Sequence, residues 1–258
     1  MQEDKQSLIR MLLSAEGFSV IAGPCTIESR DSLDEIASAL KDLGIKFLRG
    51  GAYKMRTSPH SFRGLGDIAL SYLKEIGERY DLITVSECTD VRKVDLMADY
   101  IDVFLIGTRN MNNYPLLEDI GKTQKPVILK RGMSATYEEW LQSAEYLSTN
   151  GNDKLILCER GIRTFETHTR NTFDISAIPA VKALSGYPIV VDPSHSTGTR
   201  NYVKAISWAA VAAGANGLMI ETHLNPDQSV CDSEQAVSIK DLSEIIKPIE
   251  EMRRLLLP

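Results

Sequence analysis

Eight short apolar runs, each ending in charged residues, Cys or His and each followed by a helix-like stretch, constrain what this chain can fold into more than any other feature. The runs are Phe18 to Gly23, Lys46 to Gly51, Leu82 to Cys88, Val103 to Thr108, Val127 to Arg131, Leu155 to Arg160, Ile189 to Asp192 and Gly217 to Glu221. Their far ends read GPC, RGGAYK, SEC, GTRN, KRG, CERG, DPSH and ETH. Alternation of strand and helix predicts a parallel sheet, and in a closed barrel the side chains that do chemistry sit at the carboxyl ends of the strands, where the loops converge on one mouth. An open doubly wound sheet would place its site similarly. Eight strands and the lack of a glycine-rich nucleotide loop favour the barrel, so the expected fold is α/β, a single (β/α)8 TIM barrel.

A chain of 258 residues fits one such barrel. Residues 1–16 read as a short N-terminal extension, with Leu8, Ile9, Leu12 and Leu13 placed to cover one end of the barrel or a neighbouring subunit; a terminal cap is the simpler reading. The barrel catalytic domain then spans 17–258. The longest apolar stretches, such as Ala205 to Ala215, fall well short of the ~18 residues that cross a bilayer, and MQEDKQSLIR lacks a signal-peptide core. A soluble, cytoplasmic protein with no membrane partner is expected. A formal net charge of -6 argues against a nucleic-acid surface. Cys25, Cys88, Cys158 and Cys231 show no CxxC spacing and read as reduced thiols.

Ser32 with Glu35 and Thr136 with Glu139 have the spacing of a capping box and predict helix starts. Ile36, Leu40 and Leu43 share one face of the first of these helices, as do Trp140, Leu141, Ala144 and Leu147 in the other. A last helix, roughly Ile239 to Leu257, repeats apolar residues at Leu242, Ile245, Ile246 and Ile249 and should bend at Pro248.

Two constellations can carry chemistry. Cys25, His195, Glu221 and Asp232 follow the first, seventh and eighth runs, which become neighbours once a barrel closes. Thiolate, imidazole and carboxylates together suit one first-row divalent ion, Mn, Fe, Co or Zn. Cys25 alone is equally well a buried small residue. His223 competes for the ion but lies in the loop, while His60 and His168 have no partner at readable spacing. The second group is basic: Arg49, Lys54, Arg56, Arg109, Lys130, Arg131, Arg160 and Arg163 all stand at or just past strand ends, among glycines that let backbone amides approach an anion. So many cations on one rim of an acidic protein point to phosphates or carboxylates as ligands. Hydroxyls at Thr57 and Ser58, and at Ser194, Ser196 and Thr197, either complete a second phosphate site or cap turns.

From about Gly17 to Gln235 the segments IAGPCTIES, LRGGAYKMRTSP, IGTRNM, LKRGM, ILCERGIRTFETHTRNTFDISAIP, VDPSHSTG and MIETHLNP through CDSEQ resemble, in order, those of 3-deoxy-D-arabino-heptulosonate 7-phosphate (DAHP) synthases of the short type Iβ form without a fused regulatory domain. The resemblance implies a (β/α)8 barrel that joins phosphoenolpyruvate to erythrose 4-phosphate and water, giving DAHP and inorganic phosphate, the first step of the shikimate pathway to aromatic amino acids. By motif match it makes Cys25, His195, Glu221 and Asp232 the ligands of one divalent metal ion and counts Lys54, Cys25 and His195 as catalytic. Arg49, Lys54, Arg109, Lys130 and Arg160 would surround phosphoenolpyruvate. Arg56, Thr57 and Ser58 would take the sugar phosphate, with Asp192 near its hydroxyls. Lys54 would donate or relay a proton if Arg49 and Arg160 lower its pKa.

The chain departs from the family pattern at Met55, where a proline is usual, at Leu105, where glutamine is common, and at Leu224, where proline often follows the His. The nearest alternative is 3-deoxy-D-manno-octulosonate 8-phosphate synthase, which takes arabinose 5-phosphate; its matching loop reads KANRSS and it lacks the ERGIRTFET run. A different alternative is a non-catalytic barrel that serves as scaffold for a chorismate mutase. The resemblance also implies a homo-oligomer, dimer or tetramer; members of the family often carry a ferredoxin-like or chorismate mutase domain, and with no room for one at either end this chain is expected to be an unregulated enzyme, the partner of a separate regulator such as a chorismate mutase, or a fragment of a longer protein with one natively fused. Glu87 and Cys88 either support the metal or pack.

Overall fold

All eight apolar runs form strands. The computed structural model describes residues 4–56, 58 and 60–256, with strands β1 (Ser19–Gly23), β2 (Phe47–Arg49), β3 (Ile83–Glu87), β4 (Val103–Ile106), β5 (Val127–Lys130), β6 (Leu155–Glu159), β7 (Ile189–Val191) and β8 (Gly217–Glu221). Each pairs in parallel with the next, and β1 pairs with β8, from Ser19 opposite Gly217 to Gly23 opposite Glu221, to close the ring. Strands buried on both faces carry apolar residues at nearly every position, which is why these runs are continuous rather than alternating.

The period of two along each strand divides the core in two. Ile21, Phe47, Val85, Leu105, Ile128, Ile156, Val190 and Met219 point inward and fill the barrel. Their neighbours Ala22, Leu48, Phe104, Ile106, Leu129, Leu157, Val191 and Ile220 point outward and pack under the helices. The helix Lys5–Leu12 lies across the amino-terminal end, where Leu8 and Leu12 join the inner cluster. Lys5 pairs with Asp102 at 3.1 Å just before β4, and Asn216, just before β8, donates to the carbonyl of Ala15 at 2.6 Å. That end is therefore shut, and the carboxyl end is the one open to substrates.

Thr136 and Glu139 form the expected capping box. Ser32 and Glu35 do not. The helix Arg30–Asp42 begins one turn earlier, because Ser29 is the last extended residue and its hydroxyl accepts from the Ser32 amide at 3.1 Å. The terminal stretch is two helices, Ile239–Ile246 and Ile249–Leu256, the first opened by a Ser238–Asp241 box. Pro248 breaks it rather than bending it, since proline offers no amide and crowds the preceding turn. Leu257 lies outside the described residues.

Candidate active site at the carboxyl mouth

The strand register that fills the barrel also aims the site. Continuing the inward series beyond Phe47, Val85, Ile128, Val190 and Met219 by two residues reaches Arg49, Glu87, Lys130, Asp192 and Glu221. The apolar interior thus gives way, one layer up, to a layer of charge. Gly107 shows how closely that layer is packed: a Cβ there would lie 2.0 Å from Glu87 Oε1.

Cys25, His195, Glu221 and Asp232 come together, with one ligand atom from each lying within 4.8 Å of all the others. Cys25 Sγ is 3.3 Å from Asp232 Oδ2, His195 Nε2 is 3.3 Å from Glu221 Oε1, and the same nitrogen is 4.0 Å from Asp232 Oδ2. Glu221 Oε1 is buried and accepts no hydrogen bond among the described residues. His195 presents Nε2 to the cluster because its Nδ1 faces Asp192 Oδ2 at 2.7 Å, and an ionised carboxylate only accepts. Burial lowers His195 to about 4, so the imidazole is neutral near pH 7 and its Nε2 lone pair is free. Burial pushes the Cys25 thiol well above its ordinary value. A bound cation would favour its thiolate. The donor set, the buried carboxylate oxygen that accepts no hydrogen bond and the imidazole tautomer fit one divalent ion.

Beside the cluster opens a cavity of about 310 Å³, lined among others by Lys54, Arg56, Ser58, Arg109, Lys130 and Arg160. Arg49 lies deeper, 5% exposed, with Nη2 3.3 Å from Glu221 Oε1. Its Nε and Nη1 are buried without a hydrogen-bond partner among the described residues, donors suited to an oxyanion. Lys130 pairs with Asp192 at 2.5 Å, and Arg160 donates to the His195 carbonyl at 3.2 Å. Arg109 reaches the Met55 carbonyl at 3.4 Å, tying the mouth of β4 to the loop after β2. Thr57 lies outside the described residues.

Lys54 contacts Cys25, Asp232 and Cys231, the last at 3.0 Å. The sequence suggests that Arg49 and Arg160 lower its pKa, and the structure reverses this. Burial alone would lower it, but the surrounding Cys25, Glu221, Cys231 and Asp232 override that and raise it, so Lys54 keeps its proton. The same contact holds the Asp232 carboxyl below its ordinary range in spite of burial. Cys231, which the sequence leaves without a role, is drawn down to about 6 by its hydrogen bond with Cys25 and by Lys54; Arg56 lies 3.0 Å from its sulfur.

Other residues separate from the site. Arg131 follows the outward series of Leu129 and pairs with Glu159 at 3.0 Å and Asp174 at 2.7 Å, away from the cavity. Arg163 does not line this cavity either; Cys88 faces outward into the helix-side core. Ser194 accepts from the Glu221 amide, while Ser196 and Thr197 bond to the Pro193 carbonyl, so these hydroxyls hold the chain rather than face a phosphate. His223 is held by Asn225, His168 meets Tyr202 at 3.0 Å, and His60 is exposed. Asp192 is fully buried beneath Lys130 and His195 and is absent from the cavity lining. Glu87 lines the cavity; burial raises its carboxyl although Lys130, Lys54, Arg49 and Arg109 oppose the shift. The parity of β3 is the signal that would have separated Glu87 from Cys88.

Compared with known proteins, residues 14–257 match the family model described as the DAHP synthetase I family. A phospho-2-dehydro-3-deoxyheptonate aldolase of Thermotoga maritima is 48% identical over 238 residues, which cover 92% of this chain and 70% of that protein. A crystal structure of the Thermotoga maritima phospho-2-dehydro-3-deoxyheptonate aldolase (DAHP synthase) superposes with a TM-score of 0.92 at 46% identity, over 95% of this chain and 72% of the other. A 2-dehydro-3-deoxyphosphooctonate aldolase of Syntrophobacter fumaroxidans is 30% identical over 92% of this chain and 88% of its own length.

Proposed function

The chain belongs to the DAHP synthetase I family, and from that premise we propose how its barrel mouth condenses phosphoenolpyruvate with erythrose 4-phosphate and water to give DAHP and inorganic phosphate. The observation that carries the assignment is the meeting of four metal-ligating side chains with a cation-lined cavity at the carboxyl end of one barrel. Cys25, His195, Glu221 and Asp232 would hold one divalent ion, Mn, Fe, Co or Zn. When bound, the ion supplies Lewis-acid polarisation of the sugar's aldehyde oxygen.

Arg49, Lys54, Arg109, Lys130 and Arg160 receive the carboxylate and phosphate of phosphoenolpyruvate, with the unpartnered donors of Arg49 at the deep end. Arg56 and Ser58, which line the cavity, hold the phosphate of the four-carbon sugar, a role the motif extends to Thr57. This places C3 of phosphoenolpyruvate against the aldehyde carbon in a site partly closed to water, which converts a bimolecular encounter into a positioned one. Lys54, held protonated by its anionic neighbours, carries at Nζ the proton for the aldehyde oxygen as that oxygen gains charge. Water adds at C2, its proton returning to the Lys54 amine, and the resulting hemiketal phosphate collapses: the C2–O bond to phosphate breaks, the C2 hydroxyl becomes the ketone, and its proton leaves with inorganic phosphate. Asp192 acts from beneath by orienting His195 and Lys130. The catalytic unit is residues 17–258, with 1–16 as an extension. A homo-oligomer, dimer or tetramer, a cytoplasmic location and control by a chorismate mutase belong to the same proposal. Among the described residues no helix is long and apolar enough to cross a membrane.

The test is a paired-substrate assay. With Mn, the purified protein should consume phosphoenolpyruvate and release phosphate only when erythrose 4-phosphate is added. Equal or faster turnover with arabinose 5-phosphate would overturn the sugar assignment, and no turnover with either would favour a non-catalytic scaffold. Undiminished activity after chelation would remove the metal from the reaction. Aromatic amino acids and prephenate added to the same assay test feedback control.

A further inference from the structure

We propose that Gln235 positions the Glu221 carboxylate and that Arg170 fixes the direction in which the Gln235 amide points. This rests on the reading of Glu221 as a metal ligand. Gln235 is 2% exposed and Glu221 fully buried. The Gln235 Nε2 donates to Glu221 Oε2 at 2.6 Å, and its Oε1 accepts from Arg170 Nη1 at 2.9 Å. A guanidinium only donates and an ionised carboxylate only accepts, so the amide between them has one workable orientation. With Oε2 held by the amide, Oε1 is the oxygen that faces His195 Nε2 and Arg49 Nη2, each at 3.3 Å, and lacks a hydrogen bond. Oε2 is hydrogen-bonded by the amide while Oε1 is presented to the cluster.

The backbone builds this chain of contacts from three loops. After Asp232 the chain returns along β8, where the Val237 amide donates to the Glu221 carbonyl at 2.9 Å and brings Gln235 opposite the carboxylate. The Gln235 amide donates in turn to the Asp232 carbonyl at 3.1 Å, so one short segment carries both a ligand and the residue that orients another. Arg170 is pinned to the loop that bears His195, its backbone amide donating to the Thr197 carbonyl at 3.0 Å. Gly198 makes room for it: the residue has φ +71, and an added Cβ would lie 2.5 Å from Arg170 Cβ. Neither Gln235 nor Arg170 stands in the ligand set or in the cation set read from the strand ends. Their contacts show a specific task, since groups that fix a metal-ligating side chain commonly change metal affinity by about 10–100-fold when removed.

The experiment is calorimetric titration of Mn into the purified full chain and its Gln235→Leu, Arg170→Met, Gln235→Leu/Arg170→Met and Glu221→Gln variants. The visible absorption of the Co-loaded proteins serves as a second readout of ligand geometry. Gln235→Leu should weaken Mn binding by roughly 10–100-fold and shift the Co bands. Arg170→Met should weaken binding less, because the amide remains but is free to turn. The double variant should bind no more weakly than Gln235→Leu alone, since Arg170 acts through that amide. Wild-type affinity in Gln235→Leu, or independent effects of the two substitutions, would overturn the proposal. If Gln235→Leu does not fold, Arg170→Met decides, and an unchanged Mn affinity there refutes the proposal. Undiminished binding by Glu221→Gln would instead refute the ligand reading on which it rests.

Discussion

Replacing Arg131 with Met should weaken the fold and leave phosphoenolpyruvate binding nearly unchanged, although Arg131 adjoins Lys130 in a basic run. The Arg131 guanidinium meets Glu159 at 3.0 Å and Asp174 at 2.7 Å, donates to the Ala135 carbonyl at 3.0 Å and lies 4.7 Å from the centre of the Tyr137 ring. Glu159 is fully buried, and burial already raises its carboxyl in spite of Arg131. Once the guanidinium is gone, the least costly state is a neutral Glu159. Protonating at pH 7 a carboxyl whose ordinary value is 4.5 costs roughly 3.4 kcal/mol, taking about 1.36 kcal/mol per pKa unit. That agrees with the ~3–5 kcal/mol typical of breaking a buried pair. At about 2–4 °C per kcal/mol for a chain near this size, Tm should fall by roughly 7–14 °C.

The sign of the pH dependence follows from the same group. A carboxyl whose folded pKa lies above its unfolded value binds more protons when folded, so stability declines as pH rises from the ordinary carboxylate range through the raised folded value. The variant should show this more strongly than wild type, in which Arg131 opposes the shift. Its deficit should be small at pH 5 and larger at pH 8. Thermal unfolding across that range, with KM for phosphoenolpyruvate measured on the same preparations, checks both parts. An unchanged Tm with a tenfold rise in that KM would refute the reasoning and put Arg131 on the substrate.

Arg56→Ala should raise KM for erythrose 4-phosphate by about 10–100-fold, the loss of a charge-assisted contact worth ~1.5–3 kcal/mol, with a much smaller effect on phosphoenolpyruvate; steady-state kinetics with each substrate varied would show equal effects if Arg56 served both. Leu12→Ala, at a 1% exposed site in the shut end of the barrel, should cost about 2–5 kcal/mol of stability with both KM values unchanged, as read by denaturant unfolding and kinetics. Mn at a hundred times its Kd should add about 2.7 kcal/mol to stability. Chelation should remove this gain and Cys25→Ala should lack it, so a full Mn-dependent Tm increase in that variant would count against Cys25 as a ligand.

The eight runs made the barrel legible because a parallel strand buried on both faces must be apolar along its length, and a stretch that short can be nothing longer. The meeting of Cys25, His195, Glu221 and Asp232 was legible for a related reason: ring closure makes the first, seventh and eighth strands neighbours, whatever their separation in sequence. Helix ends were less so. Ser29 and Ser32 have the same chemistry, and only the backbone decides which is the last extended residue.

By itself, then, the sequence determined the architecture, the open end that carries the chemistry and the residue types collected there, since all three follow from local pattern and the closure of a ring. Tertiary structure alone decided how neighbouring residues of like chemistry divide. Lys130 faces the cavity while Arg131 holds Glu159, and Glu87 faces inward while Cys88 packs outward, because strand parity sends adjacent side chains to opposite faces. Tertiary structure also decided the charge state of Lys54. A pKa depends on which groups surround a side chain in space, and Lys54 is ringed by Cys25 after β1 and by Glu221, Cys231 and Asp232 at and after β8 rather than by the arginines nearest its own strand.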